Sequence, residues 1–227
     1  MKFVRTLLIA TIASWLHADA FITAPHPLVF SRLSAMPTVD DVSTDDFMKQ
    51  LGHASQLIPL LHPKLQRGDG ELSDEESAAL LEVLSRQFSH SDGIRGFFAV
   101  YLTSPESLAS EEVPPILAEA VRNADPKVMV PLACMNVIMP TAMTSVHKDA
   151  ELKECASKTA YSGKKILHLL KGNDDVTDNC KAILSVCRGL NEESSKDLVE
   201  FWKKFFANYK YEDEQKDDIA ISVSEYC

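Results

Sequence analysis

The residues with the most chemical potential in one neighbourhood are Asn136, Thr141, His147 and Glu151. They stand in, or just behind, Val128–Val146, nineteen uncharged residues in a chain of which 25% is charged. An imidazole and a carboxylate four residues apart share a helix face, so His147 and Glu151 can meet one ion. Asn136 and Thr141 supply an amide and a hydroxyl of the kind that orients a small ligand. Pro140 lies between them, and an interior proline frees a carbonyl from its usual donor. A polar pocket of this kind suits a small ligand or pigment, or a metal held at His147 for a metal-dependent enzyme. Two ligands fall short of a metal site, and the chain has no second His/Glu motif of the sort a di-metal bundle uses. The plainer alternative is that Asn136 hydrogen-bonds at the proline and His147 ends an apolar helix in solvent.

The five cysteines, Cys134, Cys155, Cys180, Cys187 and Cys227, are odd in number and form no CxxC pair. They match neither a disulfide framework nor a zinc module. Cys180 and Cys187 share a helical face, but the rise between them is about 10 Å, too far for a bridge. Both read as small core residues. Cys134 and Cys155 are placed to meet across helices, and the terminal Cys227 reads as an exposed thiol.

The loop Leu65–Glu76 resembles the second half of an EF-hand. Asp69, Gly70, Leu72, Ser73 and Glu76 fall at the matching positions, but Leu65 and Arg67 stand where calcium needs oxygen ligands. A turn followed by a capping box at Ser73 and Glu76 accounts for the same residues. The aromatics Phe97, Phe98 and Tyr101, and Phe201, Trp202, Phe205, Phe206 and Tyr209, recur at core-stripe spacing. Phe98 and Phe206 fall beside the stripes, which makes them candidates for an exposed partner patch. No phosphate loop, nucleophile elbow, HExxH helix or dinucleotide fingerprint is present, so no catalytic acid, base or nucleophile is assigned.

The elements that must position these groups are all helical. Ser43 or Thr44 reads as the cap of a first helix beginning at Asp45-Asp46, closed by Pro59 and Pro63. Ser73 opens a second helix, and Ser91-Asp92-Gly93 opens a third in which Gly96 permits close approach of a neighbour. Ser104-Pro105 and Pro114-Pro115 are further starts. Asp125-Pro126 begins the central helix, which Pro140 should kink or split. The stripe Leu152, Cys155, Ala156, Thr159, Gly163, Ile166, Leu167 and Leu170 is small in its middle, as a tightly packed helix requires. Gly172-Asn173 closes that helix, Gly189 closes the next, and two more follow. The pattern predicts an all-α bundle of roughly seven to nine helices around the kinked one. The central stretch meets the length rule for a membrane span. Its prolines, Asn136 and hydroxyl residues, with no flanking Trp or Tyr, favour a buried core helix instead.

The N-terminus reads as an address. Lys2 and Arg5 precede the apolar Thr6–Leu16, and Ala18-Asp19-Ala20 offers small residues for a signal peptidase, placing cleavage between Ala20 and Phe21. Residues 21–36 hold no acid and carry Arg32, Ser31 and Ser34. This two-part segment resembles the plastid presequence of diatoms and related algae, in which an Ala-Phe-Ala-Pro-like junction marks the signal cleavage site. Here the match is Ala20-Phe21-Ile22-Thr23-Ala24-Pro25, with two extra residues between Phe21 and Ala24. The resemblance implies import to the plastid stroma by way of a secretory signal, with secretion as the alternative address. The expected organisation is a signal peptide over 1–20, a transit-like segment over 21–36 and one helical domain over 37–227. From residue 37 onward the chain loses three bases and one acid, so its net charge moves from −10 to −12. An acidic surface excludes nucleic-acid binding and docking on anionic lipid. Reduced cysteines fit a stroma better than secretion.

Residues 93–170, through GIRGFFAVYLT and MNVIMPTAMTSVH, faintly resemble uncharacterised soluble proteins of cyanobacteria and plastids. That resemblance implies no activity. The reading is a plastid-targeted helical protein, a non-catalytic accessory with a protein partner and without a transmembrane span. The alternative is a small-ligand or pigment binder at Asn136 and His147, with a metal-dependent enzyme behind it. No cofactor is specified by the residues.

Overall fold

The computed structural model describes residues 36–62, 72–104, 109, 111–189 and 195–227. Side-chain caps set most helix starts. Thr38 Oγ1 accepts the Asp41 N–H at 3.2 Å while the Asp41 carboxylate accepts the Thr38 N–H at 3.1 Å. This reciprocal box opens α1, Val39–Thr44. Asp46 caps α2, Phe47–Leu61. Ser73 and Glu76 form the expected box before α3, Asp74–Gln87. His90 caps α4, Ser91–Tyr101. Prolines stand in the first turns of α5, Pro115–Asn123, and α6, Pro126–Val146. Asp149 opens α7, Ala150–His168, and Asn173 opens α8, Asp174–Arg188, which ends at Gly189 with φ 66°. Helices α9, Lys196–Tyr209, and α10, Asp213–Val223, lead to a 3₁₀ turn, Ser224–Tyr226.

The fold is all-α, with ten helices and no strand among the described residues. Three boundaries differ from expectation. A short helix precedes the first one foreseen, because Thr38 and Asp41 cap each other ahead of Asp46. His90, not Ser91, caps α4 by accepting the Gly93 N–H at 3.2 Å on Nδ1. Asn173 begins α8 rather than closing α7, because Gly172, at φ 94°, turns the chain there.

Interior prolines do not end these helices. Pro59 lies inside α2 on its exposed side, where water satisfies the carbonyl that the proline leaves free. Helix α6 runs unbroken through Pro131 and Pro140, so the expected split does not occur. Pro140 cannot donate to the carbonyl four residues back, which is that of Asn136. Gly163 of α7 packs on this carbonyl. A Cβ built at Gly163 would lie 2.9 Å from the Asn136 carbonyl carbon and closer still to its oxygen. The small stripe on α7 therefore packs as expected, with a backbone-to-backbone approach that supplies a weak Cα–H contact to the freed oxygen. Leu152 and Cys155, earlier on the same stripe, are exposed and overhang the contact.

Helix α6 is the axis of the bundle, packed against α4, α7, α8 and α10. Met129, Val130, Ala133, Cys134, Val137, Ile138 and Ala142 are buried along it. It is also the helix, among the described residues, long and apolar enough to cross a membrane, with mean hydropathy 1.4. It is only weakly apolar, and one face is buried against its neighbours, so it presents no clear transmembrane span. On the N-terminal side α2 packs on α4, and Gly96 lies where an added Cβ would meet Gln50 Cβ at 2.5 Å. Gln50 and Gln87 are both buried and joined, Gln87 Nε2 donating to Gln50 Oε1 at 2.9 Å. Gln50 Nε2 in turn donates to the Val42 carbonyl at 2.9 Å, which ties α1, α2 and α3 together.

Candidate functional site

An open groove of about 370 Å³ lies between α6, α7 and α10. Thr141 and Thr144 reach it from α6, Ser157, Ala160, Tyr161 and Lys164 from α7, and Asp218, Ile221 and Ser222 from α10. Its floor is hydroxylic. Thr141 and Ser222 are buried, and their oxygens stand 3.5 Å apart, at the outer limit of a hydrogen bond. Its rim is apolar and wet: Tyr161 is 56% exposed and Ile221 70%.

Specific hydrogen bonds hold the walls. Gln215 uses both ends of its amide, its Oε1 accepting the Glu212 N–H at 2.8 Å and its Nε2 donating to the Ala142 carbonyl at 3.0 Å. The first bond caps α10; the second fixes that helix to α6. Ser145 donates to Asp218 at 3.0 Å, and the Tyr226 hydroxyl donates to the Lys164 carbonyl at 3.2 Å. Burial pushes the Tyr226 phenol well up, so it stays protonated as that donor.

Of the four residues proposed from sequence, the structure brings Thr141 into this groove. Asn136 is half-buried, with its backbone carbonyl under Gly163. His147 lies eleven residues further along, about 16 Å of helix rise, where it is the half-buried C-cap of α6. The length of the helix thus keeps Asn136 and His147 from converging on one small ligand. Glu151 is exposed in the first turn of α7. Among the described residues no group of three His, Cys, Asp or Glu side chains is placed to hold a metal ion. The proposed cleavage site at Ala20 and Phe21, with the rest of the presequence, lies outside the described residues. So do Leu65, Arg67, Asp69 and Gly70 of the EF-hand-like loop.

The other candidates divide, with Cys180, Phe98 and Phe206 in the core and Cys227 exposed. Cys134 is buried near Cys180 while Cys155 is exposed, and the neighbouring thiol together with burial pushes the Cys134 thiol well up. Burial likewise raises Cys187, to about 12. These thiols are therefore poor nucleophiles. Among the aromatics, Phe98 and Phe206 are buried, whereas Phe201 and Tyr209 are exposed. Helix α9 packs chiefly on α8, so its flanks stay open where a central helix would be covered. Ile221 and Lys164 were absent from the sequence reading of a site. They carried no motif, and what marks them is contact between elements far apart in the chain.

Comparison with curated proteins and with solved structures finds no match. A family model described as "Uncharacterised conserved protein UCP020893" matches residues 61–226. The chain belongs to that family, and the match spans the bundle from the end of α2 to the closing turn.

Proposed function

We propose that this chain is a plastid-imported accessory protein of the stroma or thylakoid surface that works by binding a protein partner rather than by catalysis. The observation that carries this reading is a set of large apolar side chains left in water on α6, α7 and α10, of which Tyr161 and Ile221 line one groove. Val146 at the end of α6, Leu152 and Tyr161 on α7, and Ile221 on α10 are all exposed. Apolar side chains gathered on one side of a structure mark an interaction surface more often than they mark neglect. The acidic surface supports a partner other than nucleic acid. The signal-like and transit-like residues 1–36 support the address.

Two experiments test this. Residues 1–40 fused to a fluorescent protein in a diatom should deliver it to the plastid, and secretion would sink the address. The purified chain should co-migrate with a defined plastid complex, and Tyr161→Ala with Ile221→Ser should abolish that co-migration. Unchanged co-migration of the double variant would remove this surface from the interaction.

The groove favours a second reading, a small-ligand-binding protein, because hydroxyls, opposite charges and an aromatic ring line one concavity. A bound chromophore or stoichiometric metal in the purified chain would support the pigment and metal-enzyme forms of that reading.

A further inference from the structure

We infer that the groove binds an α-amino acid, or a similarly small zwitterion, that carries an apolar side chain. This rests on the ligand-binding reading above and names the ligand's chemistry. Lys164 on α7 and Asp218 on α10 line opposite walls of the same groove without forming an ion pair with each other. Neither forms an ion pair with another described residue. Lys158 with Glu154 and Lys216 with Asp213, on the same two helices, do pair, at 2.7 and 3.0 Å. An ammonium and a carboxylate held apart across a concavity match a ligand with the two opposite charges. The ligand carboxylate goes to Lys164 Nζ and its ammonium to Asp218.

The rest of the lining agrees. Thr141 and Ser222 spend little of their hydrogen-bonding capacity on each other at 3.5 Å, so both can turn to a polar ligand. The Tyr161 ring and Ile221 offer an apolar rim for a hydrocarbon side chain. The net charge of −10 disfavours a ligand that is only an anion, while a zwitterion approaches without long-range repulsion. A ligand that is only a cation would leave the Lys164 ammonium facing it. The walls are already tied in place by Gln215 and Tyr226, so little ordering remains to oppose binding.

Isothermal titration of the purified full-length chain tests the assignment with three probes of equal hydrocarbon size. Leucine has both charges, 4-methylpentanoate lacks the amine and 3-methylbutylamine lacks the carboxylate. Leucine should bind, and each singly charged analogue should bind at least about tenfold more weakly. Lys164→Met and Asp218→Asn should each weaken leucine by about tenfold while leaving the circular dichroism unchanged. Analogues that bind as well as leucine would overturn the zwitterion and leave the ligand-binding groove standing. Absence of binding by all three would overturn the zwitterion, and a purified chain that also carries no chromophore or metal would overturn the ligand-binding reading with it. Leucine binding that survives both substitutions would place it elsewhere and overturn the assignment.

Discussion

The two ends of this bundle treat polar groups in opposite ways. On the N-terminal side, α1 to α4 turn theirs inward. Gln50, Gln87 and the Val42 carbonyl form a buried network, and His90 uses both ring nitrogens, one as a cap and one against the Val42 carbonyl at 2.8 Å. The aromatic cluster beside it, Phe88, Phe97, Phe98 and Tyr101, is buried as well. On the C-terminal side, α6, α7 and α10 leave the Thr141 and Ser222 hydroxyls loosely paired, Lys164 and Asp218 without an ion pair to each other, and Tyr161 and Ile221 in water. Buried networks specify one structure when satisfied and cost heavily when broken. Unpaired groups at a concave surface cost little until something binds them. The polar groups of the first end therefore serve packing, and those lining the groove at the second end are where recognition belongs.

The sharpest way to break this comparison is at the glycines. Gly163→Ala should destabilise the chain by about 2–4 kcal/mol, because the new methyl meets the Asn136 carbonyl rather than a flexible side chain. The same change at Gly52 of α2, where nothing lies within 4 Å of the added carbon, should stabilise by about 0.5–1 kcal/mol. Urea denaturation of the two variants gives the sign of each. Next in size, Gln50→Ala should cost about 1–3 kcal/mol by leaving the buried Gln87 amide only its long 3.4 Å bond to the residue-50 carbonyl and removing one of the two donors to the Val42 carbonyl. A Gln50→Ala chain as stable as the parent would remove the distinction between the two ends.

Smaller effects sharpen the contrast. Tyr161→Ala with Ile221→Ser should change stability by less than about 0.5 kcal/mol per site, since both side chains are largely in water. Mass spectrometry after brief maleimide treatment at neutral pH should find the exposed Cys155 and Cys227 modified. Cys134 and Cys180 should react only on unfolding, and Cys187 slowly, with its thiol raised to about 12. The smallest effect is acid sensitivity of the α1–α2 junction. Hydrogen bonds from Lys49 and then His53 hold the Asp45 carboxyl below its ordinary value. A depressed carboxyl contributes its stability above the unfolded-state pKa, near 4, and loses it as pH falls through the folded value. Parent and Asp45→Asn should therefore converge in stability below about pH 3. Equal separation at pH 7 and pH 3 would assign the contribution to something other than charge.

Much of the fold was readable in local chemistry. The Ser73–Glu76 box, the Asp125-Pro126 start, the stop at Gly189 and the close approach at Gly96 each follow from a few neighbouring residues. The misjudged places are those where distant packing decides. Pro140 reads as a kink or a split, and the split is avoided where a neighbour offers Gly163 to the carbonyl it frees. Phe201 reads as core until α9 is seen to sit at the edge on α8. Thr141 was the one proposed residue that reached the groove. Its companions Tyr161, Lys164, Asp218 and Ile221 come from helices up to eighty residues further on, and no spacing within one helix connects them.

The seating of Gly163 on the Asn136 carbonyl has a kinetic consequence. Helices α6 and α7 are consecutive, joined by residues 147–149 alone. Their tightest contact joins Asn136 and Gly163, much nearer in sequence than the Thr141–Ser222 contact of α6 with α10, and contacts of lower sequence separation form earlier. Helices α8 and α10 then have a ready-made hairpin to dock against, and α10, arriving last, completes the groove. Stopped-flow refolding of Gly163→Ala should show the loss mainly as slower folding, with the unfolding rate nearly unchanged.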